Sequence, residues 1–271
     1  MMSIVPSTWR VPSCPDVAAP WVRRRKPFCA ILPANMSASL HIWITGAGRG
    51  IGAAIAQRLG KRHRLSLSGR NEASLRQIEN VLPGGHSAVI PCDVADEASV
   101  RRAHSAAVGL HGPVDVLINN AGIGIFTDLA TMTTEDFDDQ IAVNLRGVFL
   151  CTRQVIPAMV ERNRGLVITI NSVAAVTPFA GCTAYGASKA GALALTQALR
   201  REVRSHHVKV TDILVGATET EIWGEGERES FRERMMQADD VAAAVDMVVA
   251  AADNPRTHYE EIIIRPQHGD L

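Results

Sequence analysis

The chain has 271 residues with 28 basic and 28 acidic side chains, 46% hydrophobic residues and five cysteines. Balanced charge gives no electrostatic case for nucleic acid as the main partner, and no apolar run approaches the ~20 residues that a membrane span requires. Cys14, Cys29, Cys92, Cys151 and Cys182 are odd in number and lack C-x-x-C spacing, and the histidines form no ligand constellation. Neither a disulfide framework nor a protein-bound metal is therefore expected, and a reducing, cytoplasmic setting is.

Residues 1–36 hold several prolines, the basic run Arg23, Arg24, Arg25 and Lys26, and one acid, Asp16. Without periodicity they are expected to be a disordered extension, or an artefact if Met36 is the working start; a transit peptide would share the Arg-rich composition. Residues 37–271 are expected to form the folded domain.

A short apolar strand at 41–44 runs into Thr45-Gly46-Ala47-Gly48-Arg49-Gly50-Ile51-Gly52, followed by a helix over 53–59. Backbone N–H groups in such a turn can approach a pyrophosphate with the positive end of the helix dipole behind them. Gly46, Arg49, Gly50, Ile51 and Gly52 are thus candidate cofactor contacts. The next strand, 64–68, ends in Gly69-Arg70-Asn71. An acid here would accept from the ribose 2′-OH of NAD, whereas arginine tolerates the 2′-phosphate of NADP. Gly69 stands in the acid's place and Arg70 and Arg49 are close by, which favours NADP over NAD unless both arginines are merely solvated.

Alternation continues with a helix at 71–81, a strand at 87–90 leading to Asp93-Val94, a helix at 98–110, and a strand at 114–118 leading to Asn119-Asn120-Ala121-Gly122. Such alternation implies right-handed crossovers and a doubly wound, Rossmann-type α/β fold, a parallel sheet with helices on both faces and ligands at the strands' carboxyl ends. A long helix is predicted over 134–161. Asn144 interrupts its apolar stripe, a position that an exposed side chain would also fit.

The strand at 166–170 delivers Asn171 and Ser172, and a helix from Tyr185 to about residue 205 places Lys189 one turn up on the same face. A nearby ammonium is expected to lower the phenol's pKa from ~10. The Ser172 hydroxyl can then hold a substrate oxygen while Tyr185 moves the proton. A strand at 208–214 leads to Val215-Gly216-Ala217-Thr218. Residues 221–236, charged but with Trp223 and Phe231, fit either a lid or a plain surface helix. A helix over 238–252 and a strand over 261–265 complete the pattern.

From about residue 40 onward the chain resembles the short-chain dehydrogenase/reductase family, on Thr45-Gly46-x-x-x-Gly50-x-Gly52, Asp93-Val94, Asn119-Asn120-Ala121-Gly122, Asn144, Ser172 and Tyr185-x-x-x-Lys189. The resemblance implies a seven-stranded parallel sheet, with Tyr185 as general acid/base, Ser172 orienting the substrate and Lys189 holding the nicotinamide ribose. Asn144 would anchor a water leading to Lys189. Asp93 and Val94 would lie at the adenine, Asn120, Ala121 and Gly122 beside the cofactor, and Gly216 and Thr218 at the nicotinamide. Two positions depart from the pattern: Val215 stands where proline is common, and Asn171 where serine is frequent. The implied activity is NADP(H)-dependent hydride transfer on a small carbonyl or alcohol substrate. An NAD-dependent alcohol dehydrogenase, or a non-catalytic cofactor-binding regulator on the same fold, is the alternative. A homodimer or homotetramer through the long helices is implied too, with Ala192, Leu193, Ala194 and Leu195 able to pack closely.

Overall fold

The structure, a computed structural model, describes residues 39–270, so the extension expected over 1–36 lies outside the described residues. Seven strands, β1 (His41–Thr45), β2 (Arg64–Gly69), β3 (Ser87–Pro91), β4 (Val116–Asn119), β5 (Gly165–Ser172), β6 (Val208–Val215) and β7 (Glu261–Ile264), form one sheet. Every pairing is parallel and the order is β3-β2-β1-β4-β5-β6-β7. Chain order reverses between β1 and β4, and open α/β sheets take ligands at such a point, outside the carboxyl ends.

Period-two alternation splits the strands' apolar side chains between two cores. Ile42 and Ile44 of β1 join a core with α1 (Gly50–Leu59) and α8 (Ala238–Ala250) on one face. Trp43, between them, joins the core beneath α3 (Glu97–His111) and α5 (Gly147–Arg162) on the other. Helix starts follow side-chain chemistry. The Asn71 carboxamide caps α2 (Glu72–Val81) by accepting from Ser74, and the Asp96 carboxylate caps α3 by accepting from Ala98 and Ser99.

Three boundaries differ from expectation for identifiable reasons. α1 begins at Gly50, not at 53, because the glycine turn itself winds into the helix. β4 begins at 116 because the His41 backbone N–H goes to the Asp115 carboxylate at 3.0 Å in place of a main-chain carbonyl, although the Asp115 backbone still bonds His41 and Leu166. The helix predicted over 134–161 is interrupted: α4 (Thr134–Ile141) passes through a π-helical turn, Ala142–Arg146, before α5 begins. Asn144 lies in that turn and is buried, not exposed.

The remaining helices are α6 (Thr183–Val203) and the short α7 (Glu225–Phe231). On α6, Ala192 and Leu193 are buried within the chain and unavailable to a partner; only Ala194 is exposed and Leu195 is half-buried. Among the described residues no helix is long and apolar enough to cross a membrane.

Candidate active site

At the carboxyl ends of the strands lies a cavity of about 830 Å³, lined at one end by the glycine turn and the β2 terminus and at the other by Ser172, Tyr185 and Trp223. The glycine turn is built by close approach. Gly46 and Gly50 have φ of +65° and +52°, a region that favours glycine, and a Cβ on Gly52 would sit 2.1 Å from the Gly46 carbonyl oxygen. Asn120 braces the turn by donating from Nδ2 to the Thr45 and Gly46 carbonyls, each at 3.0 Å. Its side chain is therefore committed to protein, so Asn120 acts through the turn as well as from the cavity wall. Thr45 Oγ1 accepts the Asn120 and Ala121 backbone N–H groups, both at 3.1 Å, and so ties β1 to β4 at the switch point.

A dinucleotide fits this end of the cavity. The turn's glycines bring its backbone to the cavity, with Arg49 at the start of α1 and Ile51 on the wall. The Thr220 and Glu221 side chains come close at Gly50, where a Cβ would meet them at 3.3 and 3.5 Å. Gly69, Arg70 and Ser74 line the far end with no carboxylate at the β2 terminus, and Asp93 and Val94 lie beside them. Asp93 also closes its own turn by accepting the Ala95 N–H at 2.9 Å.

The opposite end is assembled from three elements. Ser172 is the last residue of β5, and its Oγ accepts from Ala174 at 3.1 Å, which starts a short 3-10 turn. Tyr185 lies in the first turn of α6, and Lys189, one turn on, donates from Nζ to the Ile170 carbonyl at 3.1 Å. Lys189 Nζ is 5.7 Å from the Tyr185 ring centroid. The Asn144 carboxamide clamps the loop after β4: Oδ1 accepts the Ile123 N–H at 2.9 Å, and Nδ2 donates to the Ile123 carbonyl at 2.8 Å and to Ser188 Oγ at 3.0 Å. Ser188 in turn donates to the Tyr185 carbonyl at 2.7 Å. Asn144 thus reaches the tyrosine helix through Ser188, and the π turn accounts for it, since one extra residue re-aims a side chain inward at a functional site.

The electrostatics correct one expectation. Burial pushes the Tyr185 phenol up to about 12, with the Ser172 hydroxyl, within hydrogen-bonding reach, pulling it partly back. Burial also lowers Lys189 to about 8. Desolvation disfavours whichever form is charged, so it moves the acid and the base in opposite directions. Burial prevails here because the ammonium lies against the ring and bonds the Ile170 carbonyl instead of the hydroxyl.

Phe126 and Trp223 fall in stretches, 123–126 and the segment around Trp223, from which the sequence would draw the substrate pocket, and Gly216 and Thr218 are its cofactor candidates. What sequence reasoning missed is how these residues are braced, and the part taken by Gln140, Cys182 and Asp270. Phe126 stands edge-on to Tyr185 with centroids 5.4 Å apart and stacks on Trp223 at 5.6 Å, making an aromatic wall beside the phenol. Trp223 is fixed by its indole N–H donating to the Thr218 carbonyl at 3.1 Å. Thr218 itself is buried, and its hydroxyl donates to the Gly216 carbonyl at 3.1 Å. A Cβ on Gly216 would meet Pro266 Cδ at 2.9 Å, so close packing braces the end of β6 where Val215 replaces proline. Gln140, fully buried, accepts the Ile125 N–H at 3.1 Å and holds the loop that carries Phe126. Cys182, Ile222 and Asp270 also line the cavity. Among the described residues, no three His, Cys, Asp or Glu side chains are grouped to hold a metal.

The short chain dehydrogenase family pattern matches residues 40–230. The chain is 39% identical over 238 residues to sepiapterin reductase of Chlorobaculum tepidum, covering 84% of this chain and 96% of that protein. Among solved structures it is similar to a metagenomic short-chain oxidoreductase in complex with NADP, at 33% identity and a TM-score of 0.74, covering 86% of this chain and 99% of that one. It is also similar to 3-ketoacyl-(acyl-carrier-protein) reductase from Brucella melitensis complexed with NADH, at 27% identity and a TM-score of 0.77, covering 85% and 98%.

Proposed function

The chain belongs to the short-chain dehydrogenase/reductase family, and from that premise we propose that it is an NADP(H)-dependent carbonyl reductase with Tyr185 as proton donor. The observation that carries this reading is the convergence of Ser172, Tyr185 and Lys189 at one end of a cavity whose other end is a glycine cradle flanked by Arg49 and Arg70. Gly46, Gly50, Gly52, Asp93, Val94, Gly122, Lys189, Gly216 and Thr218 would hold the cofactor along that length. Bound there, reduced nicotinamide supplies the hydride to the carbonyl carbon.

The protein's own groups manage the oxygen. Ser172 donates to the carbonyl oxygen and holds it against Tyr185. A phenol near 12 is fully protonated at neutral pH, which is the form a proton donor needs. As negative charge grows on the substrate oxygen, the proton passes from Tyr185 to that oxygen, leaving a phenolate. Lys189, still an ammonium at neutral pH, offsets the phenolate's charge in a site with little water to do so. Solvent must then return the proton to Tyr185.

Two expectations follow for this reading. Ketone reduction with NADPH should hold near neutrality and fall above about pH 8, as Lys189 loses its proton. In Lys189→Met the rate should be low throughout and that alkaline limb absent; a limb that persists would belong to another group. For the cofactor, relatives are solved with NADP and with NADH, so this chain's own residues must decide. Arg70→Ala is expected to weaken NADPH by about 10- to 100-fold, the range of a hydrogen bond to a charged group, and NADH by less than about twofold. Equal losses in titrations of the two cofactors would contradict a contact with the 2′-phosphate.

The direct test is NADPH oxidation against aldehydes, ketones and keto acids. Sepiapterin, in the name of a relative, is the first ketone to include, because the Phe126–Trp223 wall offers a flat surface to a flat substrate. Tight NADPH binding with no turnover across the panel would favour a cofactor-binding regulator instead.

A further inference from the structure

β4 ends at Asn119, which pairs with Thr169, so the last residues of β5 have no strand on that flank. Two of their backbone groups find side chains instead. The Ile170 carbonyl takes the Lys189 ammonium at 3.1 Å, and the Ser172 N–H donates to Asn171 Oδ1 at 2.9 Å. Asn171 is buried and lines the cavity.

The other half of the Asn171 carboxamide faces a buried ion pair. Register pairs Thr169 with Asp212 and Asn171 with Leu214, so Thr169, Asn171 and Asp212 lie on the same face of the sheet, under α6. The Asp212 carboxylate, fully buried, accepts from Arg200 Nη2 at 3.0 Å and from Thr196 Oγ1 at 2.8 Å. Arg200 is held further by the Val210 and Glu260 carbonyls at 2.9 and 2.7 Å and by Glu261 at 3.2 Å. Burial raises the Asp212 carboxyl to about 6, so it remains ionised at neutral pH, and Thr196, Arg200 and the Asn171 amide all favour the charged form. Asn171 Nδ2 nevertheless has no closed hydrogen bond. With a carboxylate on that side, the amide has one favourable orientation: nitrogen toward Asp212, oxygen toward the Ser172 N–H.

We propose that Asn171 is a positioning residue for the Ser172–Tyr185 pair, its carboxamide oriented by the buried Asp212–Arg200 ion pair. This rests on the reading of Ser172 and Tyr185 as the reacting pair. Loss of the amide leaves the Ser172 N–H buried without a partner, and the end of β5 must shift to satisfy it.

The test compares Asn171→Leu, Asp212→Asn and the double variant by kinetics, NADPH titration and NMR with tyrosines labelled at 13Cζ; Tyr185→Phe assigns one of the chain's two tyrosine signals. Asn171→Leu is expected to lower kcat by about 3- to 10-fold, the worth of one or so hydrogen bonds, with NADPH affinity changed less than twofold. The double variant should be no slower than Asn171→Leu, because both changes break one link. At neutral pH the Tyr185 signal in Asn171→Leu should move in the direction seen in Ser172→Ala, a readout that needs no turnover. An unmoved Tyr185 signal, or kinetic losses that multiply, would overturn the relay. A wild type that reduces no carbonyl while the NMR shift appears would sink the proposed activity and leave the relay standing. Should Asp212→Asn fail to fold, Asn171→Leu and the Tyr185 signal decide alone.

Discussion

Replacing Tyr185 with phenylalanine is expected to lower kcat for NADPH-driven ketone reduction by about 10³-fold, within the usual range for a positioned general acid, while the Kd for NADPH changes less than about threefold. The substitution removes one oxygen and keeps the ring that packs against Phe126, so the aromatic wall should survive. Hydride arriving at a carbonyl carbon leaves charge on oxygen that must be neutralised at once. Without the phenol, Ser172 can only share a hydrogen bond, and Lys189 is held by the Ile170 carbonyl 3.1 Å away. Single-turnover absorbance of NADPH, paired with equilibrium titration, separates chemistry from binding. A variant that keeps a tenth or more of the rate would remove Tyr185 from proton transfer and leave Lys189 or a water as the donor.

Much of the sheet and the core of this site were legible in the sequence, because their signals are local. Strand and helix alternation is written in short-range periodicity, and the glycine turn is a contiguous run whose requirement for missing side chains is confirmed by the 2.1 Å approach at Gly52. Tyr185 and Lys189 could be placed together because helical spacing alone brings positions four apart to one face. What escaped depends on depth or on distant partners. The direction of the Tyr185 shift depends on burial, and a sequence carries no measure of depth. Asn144 looked compatible with exposure because a π turn alters the helical period by one residue, a change too small for hydrophobic spacing to register. Its partners, Ile123 and Ser188, come from a loop and from another helix. Asn171 stands where serine is frequent, yet its carboxamide oxygen takes the Ser172 N–H while its nitrogen, without a closed hydrogen bond, faces a carboxylate on the next strand.

Acid lability is the second large effect, and it is expected to originate at the amino ends of the strands, at the start of β1. His41 is fully buried, with Nδ1 2.8 Å from the Gly112 carbonyl and Nε2 2.9 Å from Ser66 Oγ. A carbonyl can only accept, so Nδ1 carries the proton and Nε2 accepts from the serine. Burial lowers the imidazole to about 4, and His111 and Arg64 nearby push the same way against the Gly112 carbonyl. The unfolded chain, near 6.5, binds the proton that the folded chain refuses, so stability is full above about pH 6.5 and is lost as pH falls toward 4. A shift of this size corresponds to about 3 kcal/mol. His63, His104, His111 and His258 are also lowered by burial and add in the same sense. Asp212 opposes them: its raised carboxyl takes up a proton in the folded state first, so it contributes stability as pH falls from about 6 toward 3.8. The His41 contribution is therefore isolated by difference. Urea unfolding of the wild type and of His41→Asn should show a stability gap at pH 7 that shrinks by about 3 kcal/mol at pH 4, with Asp212 cancelling between the two proteins. A gap that stays constant over that range would mean that His41 is already free to protonate in the folded chain, through a Ser66 hydroxyl that turns to accept.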